Sequence, residues 1–370
     1  MKASNVTSGC SCPKTTPPSR QAVPPPSTQG RQRSASSLSS PIGSRHRIKS
    51  LISALLTVLM LLSVIGCSAP DTRESVVCSS PVIAEWTRAV LGEDAQNLNI
   101  VTLGALGADV HSYQPTVRDI AAVARCSVFI RNGGESETWA DGMIAAASNE
   151  EMHTLSLCDA MEELLCSDGG SEHDAHDGHD VHDGHAHEGH AHEYDEHIWI
   201  SFDLACESVS HICRVLSEAR PDMAHVYSAN AAEYIRTIRE IESEYAELRT
   251  ECSGKVAVLC DRDPFHYLWE FLGLECEAAY EGCSAESEAT FSVVARLSRV
   301  IDERGVRCVL VCESSDGGIA DAVISATEQK NARILTLDSM QSSLDSPGYL
   351  EALRSNLAVL KTALANGETS

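Results

Sequence analysis

The sequence has little positive charge. Lys and Arg number 28 against 53 Asp and Glu, which gives a formal net charge of −25 at pH 7. A surface this acidic repels the phosphates of nucleic acids and of anionic lipid headgroups, while it attracts cations. The composition therefore argues against nucleic acid as a partner and favours a cationic ligand.

Several catalytic signatures are also missing. The chain has no HExxH pair of a zinc hydrolase, no GxSxG nucleophile turn and no phosphate-binding P-loop. No general base stands out beyond the candidate metal ligands described below. We therefore expect a binding protein and not an enzyme.

Cysteines are numerous but lack the spacing of a zinc ribbon. The chain has 15, and none of those after residue 67 forms a CxxC pair. An exported protein with this many cysteines normally forms disulfides, yet the spacing assigns no pairing. Cys206 and Cys213 have the pattern of small core residues on a helix.

The first 66 residues form a predicted targeting segment. Residues 1–50 contain no acidic residue and no apolar run, so we expect disorder there. The apolar run that starts at Leu51 is about 15 residues long, short of the roughly 20 that span a membrane. Its end, SVIGC, resembles a bacterial lipoprotein signal in which the cysteine, here Cys67, receives lipid. The lipid would hold the chain on the outer face of the cytoplasmic membrane. Without this segment the formal charge falls to −33.

Strand and helix patterns alternate along the rest of the chain. Short apolar runs such as 98–103 and 255–260 predict buried strands, and helices are expected to begin near Thr116 and Pro264. This alternation predicts an α/β fold with parallel sheets covered on both faces. Between His225 and Arg249, apolar residues recur every three or four positions, which predicts one long helix.

These patterns divide the chain into five expected parts. They are an N-terminal extension with a signal peptide (1–66), an anchor linker (67–77), an N-terminal α/β lobe (78–220), a connecting helix (221–252) and a C-terminal α/β lobe (253–370). A polar stretch at 167–195 interrupts the first lobe. It is too rich in Gly and Asp to bury a face, so we expect a disordered loop.

The predicted loop is rich in histidine. Its eight imidazoles belong to His173, His176, His179, His182, His185, His187, His190 and His192. With an unperturbed pKa of about 6.5, they are mostly neutral at pH 7 and able to chelate metal. The loop is either an accessory that captures or buffers metal, or a solvated spacer with incidental affinity. Ordering so polar a segment costs entropy at every ligand, so we do not expect the tight site there.

Two other histidines have different surroundings. His111 lies in GADVHSYQPTVRD, after a predicted strand and before a helix, where open α/β sheets bind their ligands. His197 lies in DEHIWIS, where the predicted loop ends. Asp195 and Glu196 could orient its imidazole as outer partners.

With these motifs the chain resembles the zinc/manganese solute-binding proteins of bacterial ABC transporters, a family that includes proteins named adhesins. The matching stretches span residues 78–365 and are GADVHSYQPTVRD, FIRNGGESETW, DEHIWIS, YSANAAEYIRTI, DRDPFHYLWEFLGLE and CVLVCESS. The resemblance implies two lobes, each a parallel sheet flanked by helices, joined by one long rigid helix. It also implies a metal site in the cleft between the lobes, and a monomer that works with an ABC permease.

The resemblance further implies the ligands. His111 and His197 match the two histidines of the family's N-terminal lobe. The fourth ligand falls on Glu313, with Asp316 as the alternative. The third position falls on Arg262.

Arg262 departs from the family pattern, because a guanidinium cation cannot bind a metal. Asp261, Asp263 or His266 could take its place. Arg262 could instead hold an acid of the following stretch, such as Glu281 or Glu286.

Two imidazoles with one or two carboxylates suit tetrahedral Zn²⁺, whereas more oxygen ligands would suit Mn²⁺. The histidine-rich loop favours zinc. We therefore expect an extracytoplasmic lipoprotein that captures Zn²⁺ and delivers it to an ABC permease. The alternatives are a manganese-binding transporter component and a surface metal buffer or adhesin without a transport role.

Overall fold

The computed structural model describes residues 74–103, 113–168, 194–280, 290–341 and 348–365 of the 370. The predicted targeting segment with Cys67, the loop residue His111 and the histidine-rich stretch lie outside these ranges, as do Glu281 and Glu286. Within the described ranges, no helix is both long and apolar enough to cross a membrane.

The N-terminal lobe is built on four short parallel strands. They are β1 (Ser75–Cys78), β2 (Asn99–Thr102), β3 (Val128–Arg131) and β4 (His153–Ser156). Their order in the sheet is β2-β1-β3-β4. The helices of this lobe are α1 (Pro81–Leu91), α2 (Val117–Val123), α3 (Trp139–Ala147), α4 (Leu157–Ala160), α5 (Glu162–Asp168) and α6 (Phe202–Ala219).

The long helix α7 (Ala224–Cys252) leads to a second lobe with the same strand order. Its strands are β5 (Val256–Arg262), β6 (Glu275–Tyr280), β7 (Cys308–Cys312) and β8 (Arg333–Leu337). All are parallel, in the order β6-β5-β7-β8. The helices are α8 (His266–Leu272), α9 (Phe291–Arg304), α10 (Gly318–Ala326) and α11 (Tyr349–Leu364). The prediction of two α/β lobes and a long helix is confirmed.

Helix α7 packs against both lobes through one apolar face. Tyr227, Ile238 and Tyr245 on this face are fully buried. Near its start, Asn230 donates a 2.9 Å hydrogen bond to the Val90 carbonyl of α1. Near its end, the Tyr245 hydroxyl donates a 2.6 Å hydrogen bond to the Leu353 carbonyl of α11. The helix is thus bound to both lobes by hydrogen bonds as well as by apolar contact.

The cysteines within the described ranges are largely core residues. Cys206 is 4% exposed and belongs to the main hydrophobic core, so its predicted role is confirmed. Cys213 packs at the margin of the same core. Burial raises the pKa of the Cys78 thiol to about 11, so at neutral pH this group remains protonated.

The strand order of each sheet reverses at one point. In the first lobe the reversal lies between β1 and β3, and in the second it lies between β5 and β7. The crevice outside the carboxyl ends of the strands at such a point is where open α/β sheets bind ligands. The fold therefore predicts a ligand site near the carboxyl ends of β1, β3, β5 and β7.

Candidate metal centre

His197 lies at the boundary between the lobes. It immediately precedes a 3₁₀ turn at Ile198–Ile200 and is only 3% exposed. The Tyr267 hydroxyl of α8 donates a 2.8 Å hydrogen bond to the Asp195 carbonyl. Two residues after His197, the Trp199 indole donates a 2.9 Å hydrogen bond to the Ser339 carbonyl, which follows β8. The segment that carries His197 is therefore held by the C-terminal lobe on both sides.

Asp195 orients the imidazole of His197, as predicted. Its Oδ1 lies 2.5 Å from His197 Nδ1 and accepts the His197 backbone N–H at 2.9 Å. A proton held on Nδ1 by a carboxylate leaves Nε2 as the metal-binding nitrogen of the neutral ring. Burial raises the pKa of the Asp195 carboxyl, but the hydrogen bonds and charge of His197 outweigh it, so that the pKa lies below its usual value.

Glu196 does not orient the imidazole, which corrects the prediction. Its carboxylate instead accepts hydrogen bonds from the backbone N–H groups of Glu135 and Ser136, just after β3. Gly134 makes room for it, because a Cβ there would lie 2.4 Å from the Glu196 carboxyl carbon. Gly134 also has a φ of +79°, which favours glycine. The motif NGGES therefore serves to anchor the His197 segment to the N-terminal lobe.

A buried carboxyl lies at the strand reversal of the N-terminal lobe. Glu137 is 4% exposed, and its Oε2 accepts the Gly133 N–H at 3.0 Å. Burial is the main cause that raises the pKa of Glu137 to about 7, although Ser79, Gly133 and Arg131 act to lower it. A carboxyl with a raised pKa costs stability wherever it is ionised.

We expect Glu137→Gln to stabilise the protein above pH 7. The wild-type contribution of Glu137 is fully present below the usual pKa of 4.5 and is lost as the pH rises through about 7. Such a shift corresponds to about 3 kcal/mol at high pH. Chemical unfolding of both proteins between pH 4 and pH 9 measures it, with the exposed Glu135→Gln as control. A Glu137→Gln advantage that did not grow with pH would contradict this explanation.

The strand reversal of the C-terminal lobe is crowded with acidic groups. Asp261 Oδ1 accepts the Arg262 N–H at 2.9 Å, and its Oδ2 accepts the Cys312 N–H at 3.3 Å. Asp261 therefore joins the carboxyl ends of β5 and β7. Arg262, where the resemblance leads us to expect a third ligand, is the last residue of β5.

Asp263 accepts hydrogen bonds within its own lobe, and its pKa is also affected by a charge in the other lobe. Its Oδ1 accepts the Phe265 N–H and the Trp269 indole N–H, both at 2.9 Å. Burial raises the pKa of Asp263, and the negative charge of Asp195 raises it further. The two carboxyls are therefore within electrostatic reach across the lobe boundary. His266, one turn later, is exposed.

Glu313 follows β7, where it holds the loop after β8. Its Oε2 accepts the Ser339 N–H at 2.7 Å, and its Oε1 accepts the Ser339 hydroxyl at 2.8 Å. The alternative, Asp316, accepts the Gly318 N–H at 2.8 Å where α10 begins. Each of these carboxylates therefore has a structural task just after β7.

The sequence interpretation overlooked Asp338. This residue directly follows β8, and its Oδ1 accepts the Met340 N–H at 2.8 Å in a tight corner. Met340 has a φ of +62°, a strained conformation for a side chain of its size. The neighbouring Ser339 binds both Glu313 and Trp199. The sequence does indicate Asp338, because a carboxylate that directly follows the strand pattern RILTL stands where open α/β sheets bind ligands, as His111 does.

Within the described ranges, no three His, Cys, Asp or Glu side chains are grouped closely enough to hold a metal ion. His111, the other predicted imidazole, belongs to the residues outside those ranges. The described part of the candidate centre is one buried imidazole oriented by Asp195 at the lobe boundary, with Asp263 of the C-terminal lobe within electrostatic reach of Asp195.

Two four-stranded parallel sheets of the same strand order, joined by one long helix, have the architecture of two-lobe binding proteins. The chain belongs to one family of that class. The family described as "Zinc-uptake complex component A periplasmic" (ZnuA) matches residues 76–363 of this chain. The predicted family is thereby confirmed.

Individual relatives agree with this assignment. The chain is 26% identical over 315 residues to the zinc-binding lipoprotein AdcA of Streptococcus pneumoniae, covering 84% of this chain but 60% of AdcA. It is 26% identical over 314 residues to the high-affinity zinc uptake system protein ZnuA of Bacillus subtilis, covering 82% and 94% of the two chains. The periplasmic zinc-binding protein TroA of Treponema pallidum shares the fold, with a TM-score of 0.64, 18% identity and coverage of 80% and 100%.

Proposed function

We propose that this protein captures Zn²⁺ outside the cytoplasm and delivers it to an ABC permease, without catalysing a reaction. The observation that carries the proposal is His197, buried at the lobe boundary with Asp195 on its Nδ1. An imidazole held this way presents its other nitrogen as a metal ligand. The zinc-uptake family and the zinc-binding relatives support zinc as the metal.

The charges at the boundary support a cation site. Asp195 and Asp263 belong to different lobes, and the negative charge of Asp195 adds to the burial that raises the pKa of Asp263. A divalent cation between the lobes would relieve this repulsion, because it neutralises both carboxylates at once. In the proposed site, His111 and His197 come from the N-terminal lobe and carboxylates come from the C-terminal lobe.

Among those carboxylates we favour Asp338 over Glu313 as the ligand. Both oxygens of Glu313 bind Ser339, which suits a residue that holds the corner in place. Asp338 forms that corner and stands at the carboxyl end of β8. Asp261 and Asp263 remain proposals for the third position, with the structural tasks described above.

A pair of conservative variants distinguishes the two assignments. Asp338→Asn is expected to lower zinc affinity on the order of 100-fold, which is about one ligand's share of a four-ligand site. Glu313→Gln is expected to lower it about tenfold, the effect typical of an outer partner. Competition with a chromophoric zinc chelator measures both affinities. If Glu313→Gln lost more zinc affinity than Asp338→Asn, Glu313 and not Asp338 would be assigned as the ligand.

Transport itself is tested in cells. A strain that lacks the gene should grow poorly when a chelator removes zinc, and the wild-type gene should restore growth. His197→Ala should fail to restore it, and Cys67→Ala should release the protein from the membrane fraction. Restoration of growth by Mn²⁺ and not by Zn²⁺ would favour a manganese transporter. Normal growth of the deletion strain would favour a metal buffer or adhesin.

A further inference from the structure

We propose that Trp199 couples the two halves of the metal site, so that His197 and the Asp338 corner are set in one geometry before zinc arrives. This inference rests on the proposed function. It starts from Trp199, which is 4% exposed and lies between a ligand on one lobe and a strand end on the other.

On the N-terminal side, Trp199 touches the ligand itself. The rings of Trp199 and His197 meet edge to face, with centroids 5.3 Å apart. Asp195 fixes the rotation of the imidazole through Nδ1. The indole therefore forms one wall against which the imidazole rests.

On the C-terminal side, Trp199 is bound twice. Its indole N–H donates to the Ser339 carbonyl at 2.9 Å, and its own carbonyl accepts the Tyr349 hydroxyl at 2.8 Å. Ser339 is only 5% exposed, and both its N–H and its hydroxyl donate to Glu313. A continuous chain of contacts thus runs from His197 through Trp199 and Ser339 to Glu313.

The adjacent lobe contacts restrain the same segment. The Glu85 carboxylate of α1 accepts the Tyr349 N–H at 2.7 Å, at the start of α11. Tyr349, whose hydroxyl binds the Trp199 carbonyl, is thereby also held by the N-terminal lobe through its backbone. Since every member of this set is buried or half-buried, loss of one hydrogen bond leaves a partner unsatisfied. Trp199 is in this view a positioning residue for His197 and for the Asp338 corner.

The test compares two aromatic variants of the full chain. Trp199→Phe keeps a ring but removes the indole N–H, whereas Tyr245→Phe removes a similar buried hydrogen bond, between α7 and the Leu353 carbonyl. Both should lower the thermal midpoint of the metal-free protein. Only Trp199→Phe should also lower zinc affinity, by about tenfold for one buried hydrogen bond. It should therefore shrink the rise in the midpoint that saturating zinc produces.

A double variant tests the path through Ser339. If Trp199 acts on the corner that Glu313 holds, Trp199→Phe with Glu313→Gln should lose less affinity than the product of the two single losses. Independent losses that multiply fully would overturn the path. An affinity of Trp199→Phe equal to that of the wild type or of Tyr245→Phe would overturn the proposal. Weak zinc binding by the wild-type protein would instead reject the proposed function.

Discussion

His197→Ala is expected to lower affinity for the first zinc equivalent on the order of 100-fold or more. Each ligand of a tight four-ligand zinc site contributes roughly a quarter of about 10–16 kcal/mol. Since Asp195 and Trp199 hold His197 in place, little of this contribution is lost to ordering the ring. His111→Ala is expected to have the same effect, because the family resemblance makes it the second imidazole of the site.

His211→Ala provides the matched control for these variants. His211 lies on α6, beside Arg214 and away from the lobe boundary. Its removal takes one imidazole from the chain without touching the proposed site. Competition titration should show unchanged affinity for His211→Ala. Equal losses in His197→Ala and His211→Ala would show that zinc binds elsewhere or without a defined site.

Arg262→His is expected to raise zinc affinity on the order of 100-fold. The change removes a positive charge from the end of β5 and supplies an imidazole where the family resemblance places the third ligand. Asp261 accepts the Arg262 backbone N–H, a hydrogen bond that a histidine at this position retains.

Arg262→Ala separates the two effects of that change. It removes the positive charge but adds no ligand, so its gain should be about tenfold or less, the effect of a single half-buried charge near a site. The same competition titration measures both variants. Equal affinities of Arg262→His and Arg262→Ala would mean that residue 262 does not face the metal.

The sequence predicted the fold well where apolar runs were long. The predicted strands at 255–260 and 307–313 and the apolar stripe of α7 are formed mainly by buried residues, so hydrophobic spacing was enough to predict them. It did not predict β1, which begins at Ser75 inside the expected anchor linker (67–77) and is too short an apolar run to stand out. It also did not predict β4 and β6, which are edge strands with partly exposed, polar sequences, HTLS and ECEAAY; pairing to a neighbour defines them more than burial does.

The candidate site was predictable only in part. His197 and its partner Asp195 are adjacent in sequence, so a short motif was enough to predict their contact. The tasks of Glu196 and Glu313 depend on Ser136 and Ser339, which come from distant parts of the chain. Asp338 was missed because a single carboxylate after a strand is common, and the contact of its neighbour Ser339 with Trp199, on which its proposed role depends, is visible only in the fold.

The central claim is that the tight zinc site lies at the lobe boundary and not in the histidine-rich stretch. Deletion of residues 171–193 removes all eight histidines of that stretch and leaves His197 in place. Native mass spectrometry with competition titration measures the stoichiometry and affinity of the shortened protein. One zinc ion should remain, bound as tightly as in the full chain, while the weaker equivalents disappear. Loss of the tight equivalent in the shortened protein would contradict the account.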